Sequence, residues 1–140
     1  MTVEANKHIV RRFHTELWAG HLAVVDELLA PDAHSRLGTP QEIKEFVAKV
    51  RSRFPDLQYQ IEELIAENDK VVVRWRSSGT YQGPQPASDG NPMPPVGKLF
   101  TMTGITINQV TNGQIVSDDF QNNWTDRLIE DWGYTLSPQV

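Results

Sequence analysis

Hydrophobic positions recur at helical spacing over the first third of the chain and alternate over most of the rest. Over residues 2–18, Ile9, Val10, Phe13, Leu17 and Trp18 fall on one stripe, the mark of an amphipathic helix. Thr2 stands where its hydroxyl can cap the first turn. His14 borders that stripe, between Val10 and Trp18. Gly20 breaks the pattern. Leu22, Val25, Leu28 and Leu29 then predict a shorter helix over 22–29, with Pro31 soon after it. Residues 33–37 read as a brief strand with His34 and Arg36 on one side. Thr39-Pro40-Gln41-Glu42 has the composition of a capping box with proline in the first turn. It opens a helix over 39–54 whose buried stripe is Ile43, Phe46, Val47 and Val50, ended by Pro55.

Beyond Pro55 the period changes to two. Leu57, Tyr59 and Ile61 alternate with polar residues, predicting a strand to about Glu67 and a turn at Asn68-Asp69. In the next strand, 70–81, Val71, Val73, Trp75, Ser77 and Tyr81 share one face, and Arg74 and Arg76 share the other. The apolar face belongs inside, and the arginines read as a solvated outer face. Residues 82–97 hold five prolines and three glycines, too many residues for a tight turn. Such a segment is either a lid or rim over a site or a plain connection.

Residues 98–124 carry the strongest local signal. Asn112-Gly113 between two β-rich runs predicts a two-residue hairpin turn. A regular register then sets Thr111 opposite Gln114, Ile107 opposite Asp118, Ile105 opposite Phe120 and Thr103 opposite Asn122. One face carries Thr101, Thr103, Ile105, Ile107, Val116, Asp118, Phe120, Asn122 and Trp124. It is the apolar face, with one carboxylate and one amide set into it. An acid among Ile, Phe and Trp is costly to ionise, and proteins build general acids and bases from that environment. The competing reading leaves Asp118 solvated near an open sheet edge. A short helix over 126–132, stopped by Gly133, ends the pattern. Helices first and an antiparallel meander afterwards make an α+β fold, in which a curved sheet with helices over its concave face would enclose a pocket.

With 140 residues the chain is expected to form a single domain over 1–140. That is enough to bury roughly two-thirds of the unfolded surface and leave room for a cavity. The net charge of −5, with no basic stripe, argues against nucleic acid or an anionic membrane as partner. There is no cysteine, no apolar run of membrane-spanning length and no signal-peptide pattern, so a soluble cytoplasmic protein is the expectation. Four scattered histidines make no metal-ligand spacing.

Four stretches carry a family resemblance: residues 5–32 (ANKHIVRRFHTELWAGHLAVVDELLAPD), 54–75 (FPDLQYQIEELIAENDKVVVRW), 94–107 (PPVGKLFTMTGITI) and NGQIV at 112–116. In this order they resemble the SnoaL-like polyketide cyclase (ester cyclase) family of the NTF2-like superfamily. The resemblance implies a cone-shaped α+β barrel with a deep hydrophobic pocket. It also implies closure of a polyketide ring by intramolecular aldol condensation, without cofactor or metal. Relatives carry a Glu-His-Trp-type run after the segment matching NGQIV, where this chain has Ser117-Asp118-Asp119. Asp118 therefore falls where relatives often have a pocket imidazole. The position of His14 is often a pocket tyrosine, and that of Tyr81 often a histidine or another polar ring. His34 matches the family's histidine after the second helix only approximately, because residues 33–39 are shorter than usual. Gln121-Asn122-Asn123 replaces a more acidic pattern, and the loop over 82–97 has an inserted Pro/Gly-rich portion. Relatives are commonly homodimers through the convex sheet face, which would here present Arg74, Arg76, Met102 and Thr106.

Three functions fit these residues. The first is a cofactor-independent cyclase or isomerase acting on a hydrophobic polyketide-like small molecule. Asp118 and His14 would move protons, and Asn122 or Tyr81 would hydrogen-bond the developing oxyanion. The second is an epoxide hydrolase or epoxide-opening cyclase using two acids, which Asp118 and Asp119 could supply together only across a β-bulge. The third is a binder of small molecules without catalysis. In each, Phe13, Trp18, His34, Trp75, Tyr81, Thr103, Phe120 and Trp124 are the expected substrate-binding wall.

Overall fold

The computed structural model describes residues 2–85 and 91–135. The elements run α1 (Val3–Trp18), α2 (Val24–Leu28), β1 (Leu29–Ser35), α3 (Pro40–Arg53), β2 (Gln58–Glu67), β3 (Lys70–Thr80), β4 (Leu99–Thr111), β5 (Gln114–Asn122) and α4 (Trp124–Trp132). The strands form one mostly antiparallel curved sheet in the order β1-β5-β4-β3-β2, in which only β1 runs parallel to its neighbour.

The helix starts follow local chemistry. Thr2 Oγ1 accepts from the Ala5 N–H at 3.0 Å and opens α1. Thr39 and Glu42 close both arms of the capping box at 3.2 and 3.0 Å. Val10, Phe13 and Leu17 of α1 and Ile43 and Val47 of α3 are buried in one cluster with Val71, Val73 and Trp75 of β3. Both helices therefore lie on the same face of the sheet.

Three elements depart from the sequence expectation. The second helix is shorter than 22–29, because Leu29 already belongs to β1. That strand begins earlier than residue 33 and pairs in parallel with β5, aligning Leu29 with Ile115 and Ser35 with Asp118. A parallel partner more than 80 residues away leaves no local pattern to read. Finally, α4 begins two residues before 126.

The hairpin carries the largest departure. Asn112 and Gly113 make the turn, with φ 52° and 80°, and Thr111 pairs with Gln114. Between Gln109 and Val110 the register slips, so that Val110 pairs with Ile115 and Gln109 with Ser117, leaving Val116 as an extra residue. Asp118 consequently faces Asn108 rather than Ile107, and Phe120 faces Thr106 rather than Ile105. The buried face of β4 is Phe100, Thr106, Asn108 and Val110, while Ile105 and Ile107 are 45% and 48% exposed on the other side. The expected faces are thus kept on β5 from Asp118 to Asn122 and exchanged on β4, Ile115 replaces Val116 as the buried residue beside the turn, and Met102 and Thr106 leave the convex face for the interior. Two contacts account for this choice. Trp75 lies across Gly104, where a Cβ would come within 2.3 Å of its Cζ2, and its Nε1–H donates to Thr106 Oγ1 at 3.0 Å. Asn108 is fully buried but partnered on both amide ends. Polar groups so satisfied are cheap to bury.

A second bulge in β2 aligns Ile61 with Trp75 and Glu63 with Arg74. It moves the inward set from Tyr59 and Ile61 to Leu64 and Ala66, and turns Ile65 outward.

Candidate active site

The concave side of the sheet, α1, α3 and α4 enclose a cavity of about 590 Å³. Phe13, His14, Leu17 and Trp18 enter from α1, Phe46, Val50 and Arg53 from α3, and Trp124 and Leu128 from α4. The sheet contributes Tyr59, Trp75, Thr106, Asp118, Phe120 and Asn122. The volume suits one small organic molecule and the wall is mainly aromatic and aliphatic.

Asp118 stands on the inward side of β5, half-buried. Its Oδ1 accepts from Ser35 Oγ at 2.8 Å and from the Arg36 backbone N–H at 3.2 Å. Both donors come from the end of β1, so the parallel pairing orients the carboxylate. Asp119 points to the other side. It is exposed and its Oδ1 pairs with Arg36 Nη1 at 3.0 Å. The two acids do not converge.

His14 is buried, at 6% exposure. Its Nε2 lies 2.9 Å from Asn108 Oδ1, and Asn108 Nδ2 donates to the Val71 carbonyl at 3.1 Å. Burial holds the imidazole pKa below its ordinary value, while the Asn108 bond and the Asp118 charge push the other way. The resting side chain is therefore a neutral imidazole within the field of a carboxylate.

Tyr59 stacks near-parallel to Trp18 and Trp75, with centroids 6.1 and 5.9 Å apart, and His14 lies 6.4 Å from it. Its hydroxyl is sealed from solvent with no hydrogen-bond partner among the described residues, and burial pushes its pKa up, keeping it protonated. Trp18, Tyr59 and Trp75 form a flat aromatic wall held by α1, β2 and β3.

Of the residues expected from sequence, Asp118, His14, Asn122, Phe13, Trp18, Trp75, Phe120 and Trp124 meet at this cavity. Three stand elsewhere. Tyr81 is fully buried in the cluster around Phe54, and its hydroxyl donates to the Pro84 carbonyl. Thr103 follows the outward parity of β4, and its backbone is bonded to Asn123. His34 is exposed on β1, opposite Ser117. Part of the loop over 82–97, residues 86–90, lies outside the described residues. Asn108, Tyr59 and Ser35 were not singled out by sequence. Tyr59 had an inward-facing alternation as its signal, whereas Asn108 and Ser35 had none, because their partners are 94 and 83 residues distant.

Among the described residues, no three His, Asp or Glu side chains are grouped to hold a metal ion. No described helix is long and apolar enough to cross a membrane.

Comparison with known proteins agrees with this fold. A crystal structure of a candidate SnoaL-like polyketide cyclase from Jannaschia sp. CCS1 is similar over 90% of both chains, with a TM-score of 0.76 at 23% identity. TsrD from Streptomyces laurentii covers 93% of this chain and 96% of its own, with a TM-score of 0.77 at 19% identity. IdmH from Streptomyces antibioticus, a candidate polyketide cyclase, covers 89% and 96%, with a TM-score of 0.75 at 21% identity. At these identities the likeness shows the fold. No curated protein matches the chain. The model of the SnoaL-like polyketide cyclase family matches residues 8–125, and the chain belongs to that family.

Proposed function

We propose that this protein is a cofactor-independent cyclase or isomerase that closes a ring in a hydrophobic polyketide-like molecule by intramolecular aldol chemistry. The observation that carries the reading is Asp118, a carboxylate oriented by Ser35 and the Arg36 amide at the wall of an aromatic cavity that His14 also lines, within the field of that carboxylate. Asp118 takes a proton α to a substrate carbonyl. The resulting enolate carbon attacks a second carbonyl of the same chain, one C–C bond forms, and the carbonyl π pair becomes an alkoxide. The proton held by Asp118 returns to that alkoxide, so no external reagent is consumed. Asn122 Oδ1 already accepts from the Trp124 N–H at 3.0 Å, which leaves its NH₂ as the donor for the oxyanion at the cavity mouth. Tyr81 is spent on Pro84 and takes no part.

Family membership supports this reading. The divergence of Asp118 and Asp119 weighs against an epoxide-opening mechanism built on that pair. The test is Asp118→Asn, followed by chromatography of cyclised product from linear poly-β-carbonyl substrates. Unchanged turnover would leave the aromatic cavity as a binding site only.

The reading includes a homodimer through the convex sheet face. Ile65, Val72 and Ile107 are aligned partners across β2, β3 and β4, with Ile105 beside them. Ile65 is 55% exposed, and this apolar row is of the kind that marks an association surface.

A further inference from the structure

Three chain segments meet at one short relay: Val71 of β3, Asn108 of β4 and His14 of α1. The Val71 carbonyl can only accept, so the amide nitrogen of Asn108 must be the end turned toward it, at 3.1 Å. The amide oxygen is then the atom 2.9 Å from His14 Nε2. That oxygen too can only accept, so Nε2 carries the ring proton. In a neutral imidazole the other nitrogen, Nδ1, then holds a lone pair. Among the described residues Nδ1 has no hydrogen-bond partner, and it is not among the polar atoms sealed from solvent without one. His14 lines the cavity, which is the open space that a ring nitrogen without a protein partner has to face.

We infer that Asn108 is a positioning residue that holds His14 as its Nε2–H tautomer, so that Nδ1 is an acceptor site for a hydroxyl of the substrate. The site selects a ligand that brings its own donor, an enol, phenol or alcohol O–H, to the wall formed by α1. A bare ketone oxygen at that position would meet a lone pair and be disfavoured. This deepens the cyclase reading and rests on it for the identity of the ligand, since poly-β-carbonyl chains and their cyclised products present enol and phenol groups. The tautomer itself is independent of any reaction. A leucine at 108 could fill similar space, but it would strand the Val71 carbonyl and the His14 N–H, and only the amide reads one as acceptor and the other as donor.

The test uses the whole chain with ¹⁵N in its histidine rings and long-range ¹H–¹⁵N correlation spectra at pH 7.5. The His14 signals are assigned by their loss in His14→Phe. The expected pattern is a protonated Nε2 and an unprotonated Nδ1. A His14 carrying its proton on Nδ1, on both nitrogens, or averaging between them overturns the inference, and this reading needs only the wild-type protein. Asn108→Ala is then expected to release the tautomer, provided circular dichroism shows it folded. A second arm measures binding of 2-naphthol and of 2-methylnaphthalene, similar in size but without a donor, by tryptophan fluorescence. The preference for 2-naphthol is expected to fall by roughly fivefold in His14→Phe, the scale of one hydrogen bond. A preference that survives the substitution, or is absent from the wild type, overturns the acceptor site. Neither arm reads turnover, so unchanged turnover in Asp118→Asn would sink the cyclase reading and leave the tautomer standing.

Discussion

Asn108 and Asp118 sit directly opposite each other across the β4–β5 ladder on the inward side of the sheet, Asp118 at the cavity wall and Asn108 fully buried behind it. One binds His14, and the other accepts from the end of β1. The pairing exists because Val116 is an extra residue in β5. Without it, a regular hairpin would set Asp118 against Ile107, whose side chain is half exposed on the outer face. The bulge therefore joins two polar groups into one site, which is a recurrent use of bulges beside active centres.

Asp118→Asn keeps the shape of the side chain and removes proton transfer. Turnover is expected to fall by roughly 10²-fold or more, the scale of general acid–base catalysis. Product affinity should change far less. Asp119→Asn, on the exposed outer face, should leave turnover within about twofold, as expected for a surface substitution away from the chemistry. The reverse outcome would reassign the catalytic acid.

Acidification should weaken the fold through His14. Its pKa is held below the ordinary value of 6.5 by burial. As pH falls through 6.5 the unfolded chain takes up a proton that the folded chain does not, so stability present above that pH is lost below it. The slope is at most about 1.4 kcal/mol per pH unit for this group. Urea denaturation between pH 7.5 and 5.5 should show the decline, and His14→Gln should flatten it. An equal slope in both proteins would refute the assignment.

Gly104→Ala should disturb the aromatic wall. The new methyl would lie 2.3 Å from Trp75 Cζ2 and 2.7 Å from the Gln121 carbonyl oxygen, and one of these is backbone. Overpacking of this kind costs about 1–3 kcal/mol. Thermal melts should register the loss, and tryptophan emission should report the displaced indole.

Ile107→Lys should separate the proposed dimer. The residue is half exposed, so the monomer fold should tolerate lysine, whereas a charge in the middle of an apolar contact is disfavoured. Sedimentation should show a wild-type dimer and a monomeric variant. A wild type that stays monomeric at high micromolar concentration would refute the dimer.

Much of this protein was legible along the chain. Thr2, Thr39 with Glu42, and Asn112-Gly113 act through neighbours two to four residues away, so the starts of α1 and α3 and the central turn follow from composition alone. The inward face of β3 follows from alternation, because that strand pairs regularly with β4 over its whole length. Register on β4 and β5 is different. A period of two has no memory of an inserted residue, and a single bulge at Val116 exchanges the faces of β4. What chose the bulged register was remote: the indole of Trp75 over Gly104, and the imidazole of His14 waiting for Asn108. The same holds for the donors to Asp118, which arrive on a parallel strand 83 residues earlier in the chain. Local propensity determined the elements, and the tertiary packing of α1 and β1 against the hairpin decided which polar side chains meet in the cavity.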